Sequence, residues 1–363
     1  MSSAGATLQG SFSGATGTIL ETGFYWGTSE GSLTNELYVD SAAGAAGSFS
    51  GTLESLSHET TYWYRAYVRE YNASTSSYDY RYGSIRSFTT PAAGQYVAAG
   101  WLELPAAAGN EDYIGTFYGS GGETGPWRNY SYNYSSTWYA SLWVAYPLTA
   151  AHTTGSASTS SWRYNPAIPS ASQVNIITNS YPSMYNAGDY SRGHQIPNAD
   201  RKSDETMNLQ TYYSTNQTPQ LQYSFNDSIW GSLEGAVRSL TASTDTVYVV
   251  TGPAYRKAGG SEAITYLTGA DGKNANPASL AVPNYYWKAL LKVKRSGGAI
   301  ISASAIGFWM EHKAYGGSAV YSDYAVSVRQ IEEWTGFNLF ANLPADLQAT
   351  AEVNTSWTAF QSF

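Results

Sequence analysis

Hydrophobic and polar positions alternate along the first ninety residues and then give way to longer apolar runs. Gly23-Phe24-Tyr25-Trp26-Gly27 and Thr61-Tyr62-Trp63-Tyr64-Arg65-Ala66-Tyr67-Val68 follow a period of two, as strands with one buried face do. Gly, Ser and Asn separate these runs, so residues 1–90 read as short strands joined by turns. Pro91-Ala92-Ala93-Gly94-Gln95 reads as a linker. Beyond it, Trp138–Tyr146, Val247–Val250 stopped by Gly252-Pro253, Tyr285–Val293 and Ala299–Ala303 are predicted strands. Ile229, Leu233, Val237 and Leu240, at three- and four-residue spacing, predict a helix over Ser228–Ala242. A second helix is predicted over Val326–Gly336, ended by Thr335-Gly336. The Ser/Thr tract Gly155–Ser161 reads as a mobile loop, and no internal repeat is present. The pattern predicts a multidomain chain, with an all-β module over 1–93 and an α+β domain with a mixed or antiparallel sheet over 94–363.

Before the strand at Thr61, Leu56, Thr60 and Tyr62 stand at positions i, i+4 and i+6. This spacing resembles the corner of fibronectin type III and other immunoglobulin-like sandwiches, where a Tyr hydroxyl returns to the upstream backbone. Ser87-Phe88-Thr89-Thr90-Pro91 resembles the last strand of such a module. The resemblance implies a β-sandwich over the first segment.

Composition narrows the class further. The 363 residues include 32 tyrosines, suited to half-buried strands where the ring packs and the hydroxyl stays wet. With no cysteine, disulfides and thiolate metal sites are excluded. No run of eighteen apolar residues exists to span a membrane. Met1-Ser2-Ser3-Ala4-Gly5 lacks the basic and apolar regions of a secretory leader, which fits a cytosolic start or a leader already removed. The net charge of −8 argues against bulk electrostatic affinity for nucleic acid and predicts weak, salt-sensitive capture of such a substrate.

The chemistry concentrates in Ser191-Arg192-Gly193-His194-Gln195 and in Phe225-Asn226-Asp227-Ser228-Ile229-Trp230, followed by Leu233-Glu234 and Arg238. His194 is one of four histidines. Its imidazole, near pKa 6.5 when unperturbed, suits a general base, and such a base predicts activity falling below about pH 6. His58, His152 and His312 read as structural. Gly193 lets the backbone turn or approach a neighbour closely. Asn226, just before the predicted helix, reads as a cap, and its amide oxygen also suits a Mg²⁺ ion that keeps most of its water. Four-residue steps put Asn226, Trp230, Glu234 and Arg238 along one stripe. On spacing alone, Glu234 and Arg238 read as an ordinary ion pair.

Taken together, these stretches resemble the DNA/RNA non-specific endonuclease family, the ββα-metal nucleases. Further matches are Trp143–Tyr146, Thr215-Asn216-Gln217-Thr218-Pro219-Gln220, Val249–Pro253, Val282-Pro283 through Lys288, and Ile331-Glu332 to Gly336, in the family's order across about residues 140–345. The resemblance implies that His194 activates water, that Asn226 holds Mg²⁺ (or Mn²⁺ or another divalent ion) directly, and that Glu234 orients water around the metal. It places Arg192 and Arg238 near the phosphate or bracing the site, with Asn216 and Gln220 in support. Two departures stand out. The family pattern opens with Asp where this chain has Ser191, a loss that either loosens the support around the metal or is made good by Asp189 or Asp200. The family's upstream arginine is matched only by Arg163, offset within Ser160-Ser161-Trp162-Arg163-Tyr164-Asn165-Pro166.

The expected function is a Mg²⁺-dependent, sugar-non-specific endonuclease that cleaves DNA and RNA and leaves 5′-phosphate ends. Its rivals are a catalytically weakened nuclease fold acting as a binding or adhesion module, and a phosphodiesterase on a non-nucleic substrate. The sandwich suggests an extracytoplasmic bacterial enzyme. The ligand of that module and the oligomeric state, a homodimer included, are open at this stage.

Overall fold

The computed structural model describes residues 6–40, 46–53, 56–57, 60–89, 101–106, 112–125, 127–177, 181, 190–268, 277–296 and 299–363. The linker at Pro91–Gln95, His58 and Asp189 lie outside the described residues. The chain divides into two compact units, Met1–Val97 and Ala98–Phe363.

The elements among the described residues of the first unit are all strands. Strands β1 (Ala6–Ser13) and β4 (Ala46–Leu53) pair antiparallel. The other sheet runs β3 (Asn35–Asp40), β2 (Thr18–Gly27), β5 (Thr61–Asn72), β6 (Ser77–Tyr82), with β7 (Arg86–Thr89) on the first half of β5. Alternation along the strands sends Ala6, Leu8 and Leu53 from one sheet and Phe24 and Tyr62 from the other into one shared core. Ser57 N–H donates to the Tyr62 hydroxyl at 2.9 Å, so the Tyr reaches back to backbone five residues upstream.

The second unit is built on a seven-stranded sheet in which every pair is antiparallel. Its order is β18 (Ala325–Val326), β17 (Ala299–Glu311), β16 (Tyr285–Ser296), β13 (Val247–Ala254), β10 (Ala140–Leu148), β9 (Arg128–Ser135), β8 (Tyr113–Tyr118), while β14 (Thr265–Thr268) and β15 (Ser279–Val282) pair with each other apart from it. The predicted strand at Ala299 runs far longer than its apolar start, because Ala305–Met310 continue it through the core. Both faces are covered, which explains the near-continuous apolar runs. Among the described residues two short helices come first, α1 (Ala150–Thr153) and α2 (Glu205–Gln210). Helix α3 (Gly231–Ser239) packs Leu233 and Val237 on one face of the sheet, against Val144, Val249 and Leu290. Helix α4 (Val328–Thr335) lies on the other. There Ile331 fills the space over Gly307, and Trp334 meets Trp309 with ring centroids 4.8 Å apart. Gly336 ends α4 at φ 77°, where a side chain would be strained. The Gly155–Ser161 tract is tied at two points, through Ala157 N–H to Lys202 O and Thr159 N–H to the Asn208 side chain.

Candidate active site

A hairpin presents the Ser191–His194 stretch. Strand β11 (Tyr190–His194) pairs with β12 (Gln217–Leu221), setting Ser191 opposite Gln220 and His194 opposite Gln217. Gly193 is not in the left-handed region. It is required by close approach, since the Gln220 side chain comes within 2.1 Å of where a Cβ would stand. Just past the strand, Asn216 clamps the chain. Ile196 N–H donates to Asn216 Oδ1 at 3.0 Å, and Asn216 Nδ2 donates to the carbonyls of Ile196 and Thr211. Gln195 Nε2 donates to Ser141 O at 2.8 Å, which ties the hairpin to β10.

These ties fix the position of His194. Its ring lies between Trp162 and Tyr212, each with its centroid 4.8 Å away. Nε2 is buried and makes no hydrogen bond among the described residues. Burial and the Arg192 guanidinium hold the imidazole down to about 4, so it is neutral at pH 7. Arg192, two residues earlier on the same strand face, stacks over Trp162 at 4.9 Å and donates from Nη1 to Ile176 O at 2.9 Å. Trp162 thus faces both groups. Arg163 beside it does not join them: its Nε reaches back to Ser161 O, its backbone bridges to Tyr213, and among the described residues it makes no hydrogen bond or ring contact with His194.

The Asn226 segment departs from the expected single helix. Gln222–Trp230 forms a wide helical turn broken at Ser228 (φ −116°, ψ −106°), and α3 begins only at Gly231. The break interrupts the stripe expected through Asn226, Trp230, Glu234 and Arg238. Asn226 caps neither segment. Its Nδ2 donates to Ser191 Oγ at 3.4 Å, and Ser191 Oγ donates to Gln220 O at 3.3 Å. Holding the amide by its nitrogen leaves Asn226 Oδ1 without a partner among the described residues.

Glu234 faces a buried charge cluster rather than a simple ion pair. Arg238 Nε donates to Asp200 Oδ1 at 2.7 Å, so the expected Glu234–Arg238 bridge is replaced by Asp200, which also accepts from the Tyr146 hydroxyl. Asp200 therefore neighbours Glu234 and does not stand in for a carboxylate at Ser191. Lys288, 1% exposed, projects from β16 toward α3 with Nζ 5.1 Å from the Trp230 ring and no hydrogen-bond partner among the described residues. Burial pushes the Glu234 carboxyl up to about 7, against the pull of Lys288, and Asp200 adds to the rise. Burial likewise lowers the lysine, opposed by Glu234. Lys288 and Trp162 are the site residues to which sequence reasoning gave no role. The signal for Lys288 was present: a lone charge inside Tyr285-Tyr286-Trp287-Lys288-Ala289-Leu290-Leu291, where burial demands a partner. Its partner on a distant helix has no sequence signal.

Among the described residues no three His, Cys, Asp or Glu side chains gather to hold a metal. The one amide oxygen at Asn226, its nitrogen held by Ser191, suits a hard divalent cation that keeps most of its water better than a metal caged by protein. His312 is structural, as expected, with Nε2 accepting from Leu221 N–H at 2.9 Å and Nδ1 on Pro283 O.

The hairpin with its buried His194 Nε2 and the Asn226 turn held to it belong to an α+β fold with an antiparallel sheet. Residues 112–346 match the family model described as DNA/RNA non-specific endonuclease, and the chain belongs to that family of nucleases. It is 30% identical over 226 residues to a nuclease of Serratia marcescens, covering 61% of this chain and 76% of that one. It is 32% identical over 164 residues to the mitochondrial nuclease 1 of Schizosaccharomyces pombe, covering 44% of this chain and 49% of the relative. It thus spans about half the length of that relative. A chain from the crystal structure of the EndoG/EndoGI complex has a similar fold, with a TM-score of 0.50 at 22% identity, over 60% of this chain and 86% of that one.

Proposed function

We propose that this chain is a divalent-metal-dependent, sugar-non-specific endonuclease that hydrolyses internal phosphodiester bonds of DNA and RNA. The observation that carries the reading is His194: a neutral imidazole whose buried Nε2 has no other hydrogen bond. Nε2 takes a proton from water as the water oxygen bonds to phosphorus. The bond from phosphorus to the 3′ oxygen breaks, and that oxygen leaves as a hydroxyl once protonated by solvent, with the phosphate on the 5′ side. Arg192, braced on Trp162 and Ile176, and Arg238, held by Asp200, set positive charge beside the site. Asn226 Oδ1 would hold Mg²⁺, with Mn²⁺ as a substitute, and Glu234 would act on the ion's water; the bound ion would supply charge neutralisation at the phosphate. Ser191 takes over part of the missing carboxylate's work by fixing the Asn226 amide. Arg163 is left outside this machinery.

Supercoiled plasmid and total RNA, each incubated with Mg²⁺ or with excess EDTA, test the reading. Cleavage of both nucleic acids only with the ion supports it. Undiminished cleavage in EDTA rejects the metal dependence, and no cleavage with any divalent ion rejects the reading in favour of a non-catalytic or non-nucleic role.

The unit before the nuclease domain is assigned as a fibronectin type III-like sandwich over 1–93, with the nuclease domain over 94–363. The shared core of its two sheets and the Tyr62 hydroxyl on Ser57 support the assignment. A module of this kind fits an extracytoplasmic enzyme. No described helix is long and apolar enough to cross a membrane.

A further inference from the structure

The outer face of the first unit carries a ladder of tyrosines and arginines that core formation does not explain. Tyr78, Tyr80 and Tyr82 alternate along β6 and so share one face, where they remain 57%, 43% and 47% exposed. Tyr80 and Tyr82 are nearly parallel, with centroids 6.0 Å apart and planes 10° from each other. The neighbouring strand β5 lays guanidinium groups over these rings, Arg65 at 4.0 Å on Tyr82 and Arg69 at 4.7 Å on Tyr78. Of the four Lys and Arg residues of positions 1–93, Arg65 and Arg69 share this face, whereas Arg81 pairs with Glu70 and Arg86 stands across from Tyr64.

We infer that this face is a platform for single-stranded nucleic acid, which rests on the nuclease reading of the second unit. Exposed bases offer flat faces to tyrosine rings, while the backbone offers phosphate to a guanidinium. The pairing of charges favours this occupant. Arg69 is engaged by Glu21 at 2.6 Å, and Glu36 accepts from the Tyr67 hydroxyl. Arg65 has no ion-pair or hydrogen-bond partner among the described residues. Half-buried over the Tyr82 ring, its positive charge is without a paired carboxylate while Glu21 and Glu36 are occupied, which suits an anion with aromatic faces better than a neutral sugar. Duplex DNA hides its base faces and binds poorly to such a surface. A tethered platform raises the local concentration of substrate for an acidic chain that lacks a general basic footprint.

The test uses the full-length chain with His194→Ala, in EDTA, and fluorescence anisotropy of a labelled 20-nucleotide oligo(dT). Tyr80→Ser/Tyr82→Ser weakens binding at least tenfold, Tyr80→Phe/Tyr82→Phe stays within twofold, and Arg65→Gln weakens binding severalfold and flattens its salt dependence. A duplex of equal length binds more weakly than the single strand. Unchanged affinity in a serine pair that keeps its melting transition overturns the inference. So does an equal loss in the phenylalanine pair, or chitohexaose binding in place of oligo(dT). If the serine pair does not fold, Arg65→Gln decides, and an unchanged affinity rejects the platform. The nuclease reading is judged separately, by metal-dependent cleavage with His194 intact. Loss of ladder-dependent binding leaves that result standing, and loss of cleavage leaves the binding result standing.

Discussion

The side-chain nitrogen of Asn226 donates to the hydroxyl of Ser191 across 3.4 Å, joining the turn after the hairpin to the strand that carries His194. This contact orients the amide, so that its oxygen is the atom left for a cation. Ser191→Ala removes the acceptor and lets the amide rotate. The Mg²⁺ concentration giving half-maximal plasmid cleavage then rises severalfold, with a smaller change at saturating ion. An unchanged metal requirement contradicts the role given to Ser191.

The hairpin and the cluster around α3 differ in what the sequence could reveal. Ser191–His194 and the Asn216–Gln220 stretch are local, and their register follows from two short strands with a fixed pairing, so their grouping was legible. The continuous apolar runs gave the central strands because both sheet faces are covered. The helix from Ser228 was misread. Apolar spacing from Ile229 onward reports burial against the sheet, and it carries no record of the break at Ser228 that frees Asn226 for Ser191. Arg238 was matched with Glu234 because sequence distance favours i,i+4 pairs. The structure gives it to Asp200, 38 residues away, through a tertiary contact that has no periodic trace.

Removing one member of that contact leaves a buried carboxylate unpaired. Arg238→Ala costs about 3 kcal/mol of stability, at the low end for a broken buried pair because the Arg238 side chain is partly exposed. Urea unfolding measures this. A change within about 0.5 kcal/mol, the range of a surface substitution, contradicts the pairing.

The pH profile separates the two titrating groups of the site. His194, held down to about 4, stays a free base through the neutral range, so its protonation lowers activity only as pH falls toward about 4. Glu234, pushed up to about 7, is the group that changes charge near neutrality, and activity falls as it takes a proton. Glu234→Gln lowers the plateau and removes the upper limb from a profile of cleavage rate over pH 4–9. A limb near pH 6 that survives this substitution assigns the titration to His194 and contradicts its depressed value.

Stability responds to pH in two opposing ways. His152, His194 and His312 are lowered to about 3, 4 and 4 by burial, with the nearby Arg201 and Arg192 adding to the first two. Their unfolded forms take up protons below about 6.5, so stability is lost as pH falls from there toward 4. Glu234 and Glu352, raised by burial to about 7 and about 8, keep protons that the unfolded chain releases above about 4.3, so they cost stability as pH rises. The melting temperature in EDTA is therefore highest near pH 6. A melting temperature that climbs steadily from pH 5 to pH 8 contradicts this balance.

The central claim is that His194 is the base of a nuclease, and His194→Ala tests it most directly. Removing a positioned base costs about 10²- to 10⁴-fold in rate. Plasmid cleavage in Mg²⁺ should fall by at least a hundredfold while the circular dichroism spectrum and melting transition stay those of the parent chain. A folded His194→Ala protein that cuts plasmid at near the parent rate contradicts the account.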